Sequence, residues 1–118
     1  MKKTSRKSLI RKLDTLVRKI VLERTPSCVV CGAVTNLQPG HVFSRAHYAT
    51  RWDLDNVWTQ CRDCNFKHEL NSWPFFSWFI GQFGKKALDK LEFKYRQLTH
   101  FKSSDLLALL DQLGGKGK

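Results

Sequence analysis

Cys28 to Asn71 reads CVVCGAVTNLQPGHVFSRAHYATRWDLDNVWTQCRDCNFKHELN. All four cysteines of the chain lie in this stretch as two Cys-x-x-Cys pairs, Cys28 with Cys31 and Cys61 with Cys64. Two thiolates at that spacing can grip one ion from adjacent corners, and two pairs complete a tetrahedral site whose usual occupant is zinc. The competing reading of a Cys-x-x-Cys is a redox pair, which needs no matched second pair and uses a βαβ setting that this sequence lacks. A structural zinc is therefore expected.

The pairs are separated by 29 residues, more than the roughly 15 to 20 of a short zinc ribbon, so a folded segment must fill the gap. Residues 41–43 and 57–60 are rich in Val, Phe, Trp and Thr and read as two short strands, with 36–40 as a turn or loop before them. The long loop SRAHYATRWDLDN joins the strands, and NFKHEL after Cys64 reads as a helix. An isolated hairpin is marginal in water, so this one must lean on the cysteine knuckles and the helix. The expected unit is strand, loop, strand and helix, with His41 facing Asn65 and His68 across a metal-sized gap.

Working outward, residues 5–24 place Leu9, Leu13, Leu16, Val17 and Ile20 at three- and four-residue intervals with Arg and Lys opposite, the pattern of a basic amphipathic helix. Thr25-Pro26 should end it, because the residue before proline is pushed out of the α region. On the other side, WPFFSWFIGQF (73–83) reads as an aromatic helix begun by Pro74, with core packing favoured over base stacking. Gly84 breaks it, KKALDKLEFKYRQL follows, and DLLALLDQL forms a last helix that Gly114 and Gly115 should terminate. The last leucines are expected against the N-terminal helix or a partner subunit. The fold class is α+β: a basic helix (1–25), a zinc-bound core (26–72) and a C-terminal helical region (73–118), together one compact domain.

Lysine and arginine number 21 against 10 acidic residues, for a formal net charge of +11, which favours a polyanionic partner, most commonly nucleic acid. Nine basic and two acidic residues fall between Met1 and Arg24, so Lys12, Arg18 and Lys19 are candidate DNA contacts; an ordinary solvated face is the bland alternative. No long apolar run, signal peptide or aromatic anchor points to a membrane. A cytoplasmic protein is expected.

The order Cys-x-x-Cys, Gly40-His41, Asn56, Cys-x-x-Cys-Asn65 resembles the His-Asn-His (HNH) nucleases of ββα-metal fold, particularly the zinc-bearing branch that includes the phage endonuclease VII resolvases. GHVFSR, the Arg51-Trp52 pair and the aromatic helix with FGKKALDKLE look like the NinG (Rap) recombination nucleases of lambdoid phages, over roughly residues 26–100. The resemblance implies a metal-dependent DNA endonuclease acting on branched DNA in the host cytoplasm.

Such chemistry needs a base to activate water and a cation to stabilise charge on the phosphate and the leaving oxygen. His41 is the candidate base, since an imidazole titrates near neutrality. Asn56 matches the middle Asn, expected to pin the loop and orient the His, with a plain turn Asn as the alternative. Asn65 matches the metal-binding position, and His68 lies one turn on; carboxamide and imidazole suit Mg or Mn. The commoner pattern has an acid before the His, whereas position 40 is Gly, leaving His47, Asp53, Asp55 and Glu69 as uncompelling substitutes. An inverted assignment makes His41 the metal ligand and His47 the base. Arg45 and Arg51, with His47, are candidate DNA contacts. Paired-strand cutting needs two sites, so a homodimer is attractive, and a zinc-bearing DNA binder without catalysis is the alternative function.

Overall fold

The computed structural model describes residues 5–116, and it is mixed α and β. Helix α1 spans Arg6–Arg24, its first turn capped by the Ser5 hydroxyl, which accepts from the Ser8 amide at 3.1 Å. It ends at Thr25, whose extended backbone (φ −137°, ψ 96°) is what the following proline demands. Residues 1–4, the start of the segment expected to form the basic helix, lie outside the described residues.

Strand β1 is Leu37–His41 and strand β2 is Val57–Cys61, paired antiparallel with Leu37 opposite Cys61 and His41 opposite Val57. The first strand therefore begins four residues and ends two residues before the 41–43 its composition suggested. LQPG has poor β propensity, but pairing is decided by the partner strand and the packing around it. Pro39 is tolerated because a two-stranded sheet leaves β1 with an open edge. Between the strands the long loop winds one short helix, α2 (Tyr48–Arg51). Helix α3 (Arg62–Leu70) starts two residues before Cys64, with the Cys61 sulfur accepting from the Cys64 amide at its N-terminus.

Helices α4 (Trp73–Phe83) and α5 (Lys85–Tyr95) follow, turned against each other at Gly84, whose φ of 92° suits only glycine comfortably. Helix α6 (Ser103–Lys116) continues past Gly114 instead of stopping there. A glycine inside a helix costs only about 1 kcal/mol relative to alanine, and Leu113, buried on the helix's inner side, holds the last turns down.

Two cores result. Leu9, Leu13, Val17 and Val21 of α1 pack with Leu106 and Leu113 of α6 and with Trp52 and Val57. Val42 and Phe43 of the loop pack with Phe75 and Phe79 of α4 and Leu88 and Leu91 of α5. The buried leucines of the last helix are thus satisfied within the chain by α1, and an argument for a homodimer can no longer rest on them. Of the aromatic helix, Phe75 and Phe79 are core and Phe76 and Trp78 pack against it, with Trp73 and Phe83 left exposed. No helix among the described residues is long and apolar enough to cross a membrane.

The Thr59 hydroxyl, buried on β2, points at the carbonyls of Thr25 (2.6 Å) and Val21 (3.2 Å). The Thr25 carbonyl just beyond the helix takes the shorter contact, while the Val21 carbonyl also accepts from the Thr25 amide at 3.0 Å. This fastens the end of α1 to one face of the hairpin, next to the cysteines.

Candidate functional site

The cysteine cluster is built by two knuckles. Gly32, with φ 82°, turns the chain after Cys31, while Cys61 ends β2 and caps α3. The four Sγ atoms lie within 4.8 Å of one another, and the Cys31 and Cys61 sulfurs are 3.6 Å apart. A tetrahedron with bonds of about 2.3 Å to each sulfur requires sulfurs about 3.8 Å apart, so the cluster fits one ion. The amides of Cys31 and Cys64 approach the sulfurs of Cys28 and Cys61 at 3.5 and 3.4 Å, as thiolates require. Burial alone would raise the Cys28 thiol, but backbone donors outweigh it and bring the group down to about 7; burial and the neighbouring thiols push Cys64 up. Four thiols crowded together cannot all ionise without a cation to join them.

A second centre opens beside β1 as a cleft of about 350 Å³. His41, Asn65 and His68 line it together, as do Arg45 and Arg51, so residues far apart in the chain meet around one cleft. Asp14 of α1 and Glu69 complete its charged lining.

His41 is half-buried and its Nε2 lies 3.0 Å from the Arg51 carbonyl. A carbonyl can only accept, so the proton is on Nε2 and Nδ1 carries the free lone pair. Burial, and then the charges of Arg45 and Arg51, lower its pKa to about 4 despite the bond to the carbonyl and the nearby Asp14. The ring is neutral at working pH and able to accept a proton.

Asn56 is completely buried. Its Oδ1 accepts from the Phe43 amide at 2.9 Å, and its Nδ2 donates to the carbonyls of Phe43 (3.0 Å) and Thr50 (3.1 Å). It staples the strand-to-strand loop to itself at both ends, and so holds the segment that carries the Arg51 carbonyl.

On α3, Asn65 donates Nδ2 to Gln38 Oε1 at 2.9 Å, and its own Oδ1 makes no hydrogen bond among the described residues. His68 donates Nε2 to the Val42 carbonyl at 3.0 Å, which leaves Nδ1 a buried acceptor with no donor. A buried lone pair in that condition calls for a cation or a water.

Other expected contacts are placed differently. The imidazole of His47 stacks on Tyr95 at 4.1 Å with Nδ1 beside the Tyr95 carbonyl, away from the cleft, so the inverted assignment loses its base. Asp53 pairs with Lys94, and neither it nor Asp55 lines the cleft. Arg51, expected to hold phosphate, spends its guanidinium fork on Asp14. Arg45 remains 60% exposed. On α1, Arg18 is on the flank of Asp14, but Lys12 and Lys19 lie roughly 140 to 160° around the helix from it. Lys7 and Arg11 share the cleft side with Arg18.

Position 40 has a physical explanation. A Cβ on Gly40 would lie 2.2 Å from Gln60 Oε1 and 2.9 Å from Cδ and Cγ of the same side chain, which is fully buried. The space an acidic side chain would enter is filled. Sequence reasoning missed Asp14 and Gln60; the one signal for Asp14 was a carboxylate beside the apolar stripe of an otherwise basic helix.

A family model described as Bacteriophage Lambda NinG protein matches residues 1–118. No curated protein and no solved structure matches the chain.

Proposed function

The chain belongs to the phage recombination-associated NinG family, and from that premise we propose that it is a metal-dependent DNA endonuclease of HNH type. The observation that carries this is His41, held by the Arg51 carbonyl as a neutral imidazole with Nδ1 unspent, in the cleft it shares with Asn65 and His68. In hydrolysis Nδ1 takes a proton from the attacking water, and its low proton affinity keeps it available at neutral pH. Asn56 keeps the loop, and through it the carbonyl, in place.

The catalytic cation, Mg or Mn, would be held by Asn65 Oδ1, His68 Nδ1 and the carboxylate of Glu69, which forms no ion pair among the described residues. Glu69 takes over the charge that Gly40 cannot supply. When bound, such an ion stabilises negative charge on the phosphate and the leaving oxygen. The cysteine cluster holds a structural zinc, whose role is to fix the end of β2 against the start of α3 and so the distance between His41 and Asn65. Arg45 and the cleft side of α1 receive the DNA backbone. Branched DNA is the proposed substrate and a homodimer the proposed assembly for paired cuts.

The Gly40 geometry favours one other reading, a DNA-binding protein that no longer cuts. The discriminating experiment incubates a four-way junction and a plasmid with wild type and His41→Ala in Mg or Mn. Loss of a general base costs about 10²- to 10⁴-fold, so the variant should bind but scarcely cut. Equal cleavage by both proteins, or none by wild type while binding persists, would overturn the nuclease reading.

A further inference from the structure

Asp14 belongs to α1, outside the two strands and helix that carry His41, Asn65 and His68. Its carboxylate nevertheless receives four hydrogen bonds from around the cleft. Arg51 donates Nε to Oδ1 at 3.0 Å and Nη2 to Oδ2 at 2.6 Å, Trp52 donates Nε1 to Oδ1 at 2.9 Å, and Arg45 donates Nη2 to Oδ2 at 3.0 Å. Both oxygens are saturated, so Asp14 has nothing left to offer a cation. The two-point Arg51 contact is the kind that fixes geometry as well as adding energy.

Three of these bonds are not interchangeable with solvent. The Arg51 side chain is only 14% exposed and Trp52 is buried, so removing the carboxylate orphans their donors. Arg51 also closes α2, and its own carbonyl is the acceptor for His41 Nε2. Its Nη1 approaches the Arg45 carbonyl at 3.5 Å. One residue thus connects the carboxylate on α1 to the proton on His41.

We propose that Asp14 is a positioning residue for His41: by chelating Arg51 and Trp52 it sets the Arg51 carbonyl that holds His41 as the Nε2–H tautomer with Nδ1 toward the cleft. The proposal deepens the reading of His41 as the base and rests on it. Helix α1 is then part of the hydrolytic apparatus as well as a surface for DNA. The two arginines divide the work: Arg51 is spent inside the protein, and Arg45, exposed and held by one bond, is the one that can leave Asp14 for a phosphate.

A purely structural tie between α1 and the loop would alter stability and leave the tautomer of the folded protein alone. The test therefore reads the tautomer directly, by long-range ¹H–¹⁵N spectra of His41 in the zinc-loaded full chain, for wild type, Asp14→Asn, Arg51→Gln and the double variant. Thermal melts identify the temperature at which each is folded. Wild type should show the Nε2–H pattern and folded Asp14→Asn a mixture of both tautomers.

Single-turnover junction cleavage at saturating protein should fall about 10- to 100-fold in each single variant, as expected for a small misplacement of a reacting group. The apparent Kd for the junction should change less than about threefold, and the double variant should be no worse than either single. If Asp14→Asn does not fold, Arg51→Lys, which keeps the charge and gives up the fork, must show the same mixture. Retention of a pure Nε2–H pattern in the folded variants, or losses that multiply in the double variant, would overturn the proposal. Wild type that shows the tautomer but cuts no DNA would instead sink the nuclease reading alone.

Discussion

His41 is tied at one ring nitrogen and disfavoured as a cation by burial and by Arg45 and Arg51. In the unfolded chain the imidazole takes a proton near 6.5, whereas in the fold it resists until about 4. The unfolded state therefore binds protons first on acidification, so this contribution to stability is complete above about pH 6.5 and is lost as pH falls toward 4. Between pH 7 and 5 the loss should be about 2 kcal/mol, and it should be absent from His41→Gln, as urea melts of both proteins at the two pH values would show. Gly40 carries a second prediction. Gly40→Asp should destabilise by about 1 to 3 kcal/mol through overpacking against Gln60, and adding Gln60→Ala should recover most of that, measured by the same melts. His41 and Asn56 were singled out through the resemblance to the HNH order, and the structure sets His41 on the cleft and buries Asn56 in the loop. Asp14 was not, because a helical pattern tells which face is apolar but not which loop the polar edge will meet.

At the scale of elements, the knuckle at Cys61 does three things: it ends β2, caps α3 and supplies a sulfur to the cluster. Cys61→Ser or a strong chelator should therefore abolish the cooperative fold of the hairpin and α3, because the ion's binding energy is folding energy. Circular dichroism and near-ultraviolet spectra of the variant report this directly, and unchanged spectra would count against a structural ion. Leu13→Ala on α1 should cost about 2 to 5 kcal/mol, since Leu13 is fully buried between α6 and the hairpin. Helix α1 was readable from periodicity almost to its ends, whereas α2 was hidden in the loop, α3 begins at Arg62 instead of after Cys64, and α5 stops at Tyr95, short of the Leu98 its pattern suggested. Strand β1 was not, because Pro39 and Gly40 hide a strand that exists through pairing with β2. The end of α6 was misjudged for a related reason: packing of Leu113 overrides the local preference of Gly114 to stop a helix.

Over the whole molecule, the charge of +11 predicts DNA binding that weakens linearly in log–log with salt. On the proposed reading, helical spacing from Asp14 decides which charges count. Lys7, Arg11 and Arg18 stand on the cleft side of α1, whereas Lys12 and Lys19 stand on the far side. Reversing Arg11 and Arg18 to Glu should reduce the salt slope by about 2, and reversing Lys12 and Lys19 should change it little, as fluorescence anisotropy at several salt concentrations would establish. Basicity was plain in the sequence, but its direction emerged only when α1 was laid beside the hairpin. Most direct for the central claim is anomalous scattering from crystals of the zinc-loaded protein soaked in Mn²⁺. Zinc should appear among Cys28, Cys31, Cys61 and Cys64, with manganese between Asn65 and His68 and the Nδ1 of His41 facing it. Manganese away from those side chains, or a cysteine cluster with no zinc signal, would contradict it.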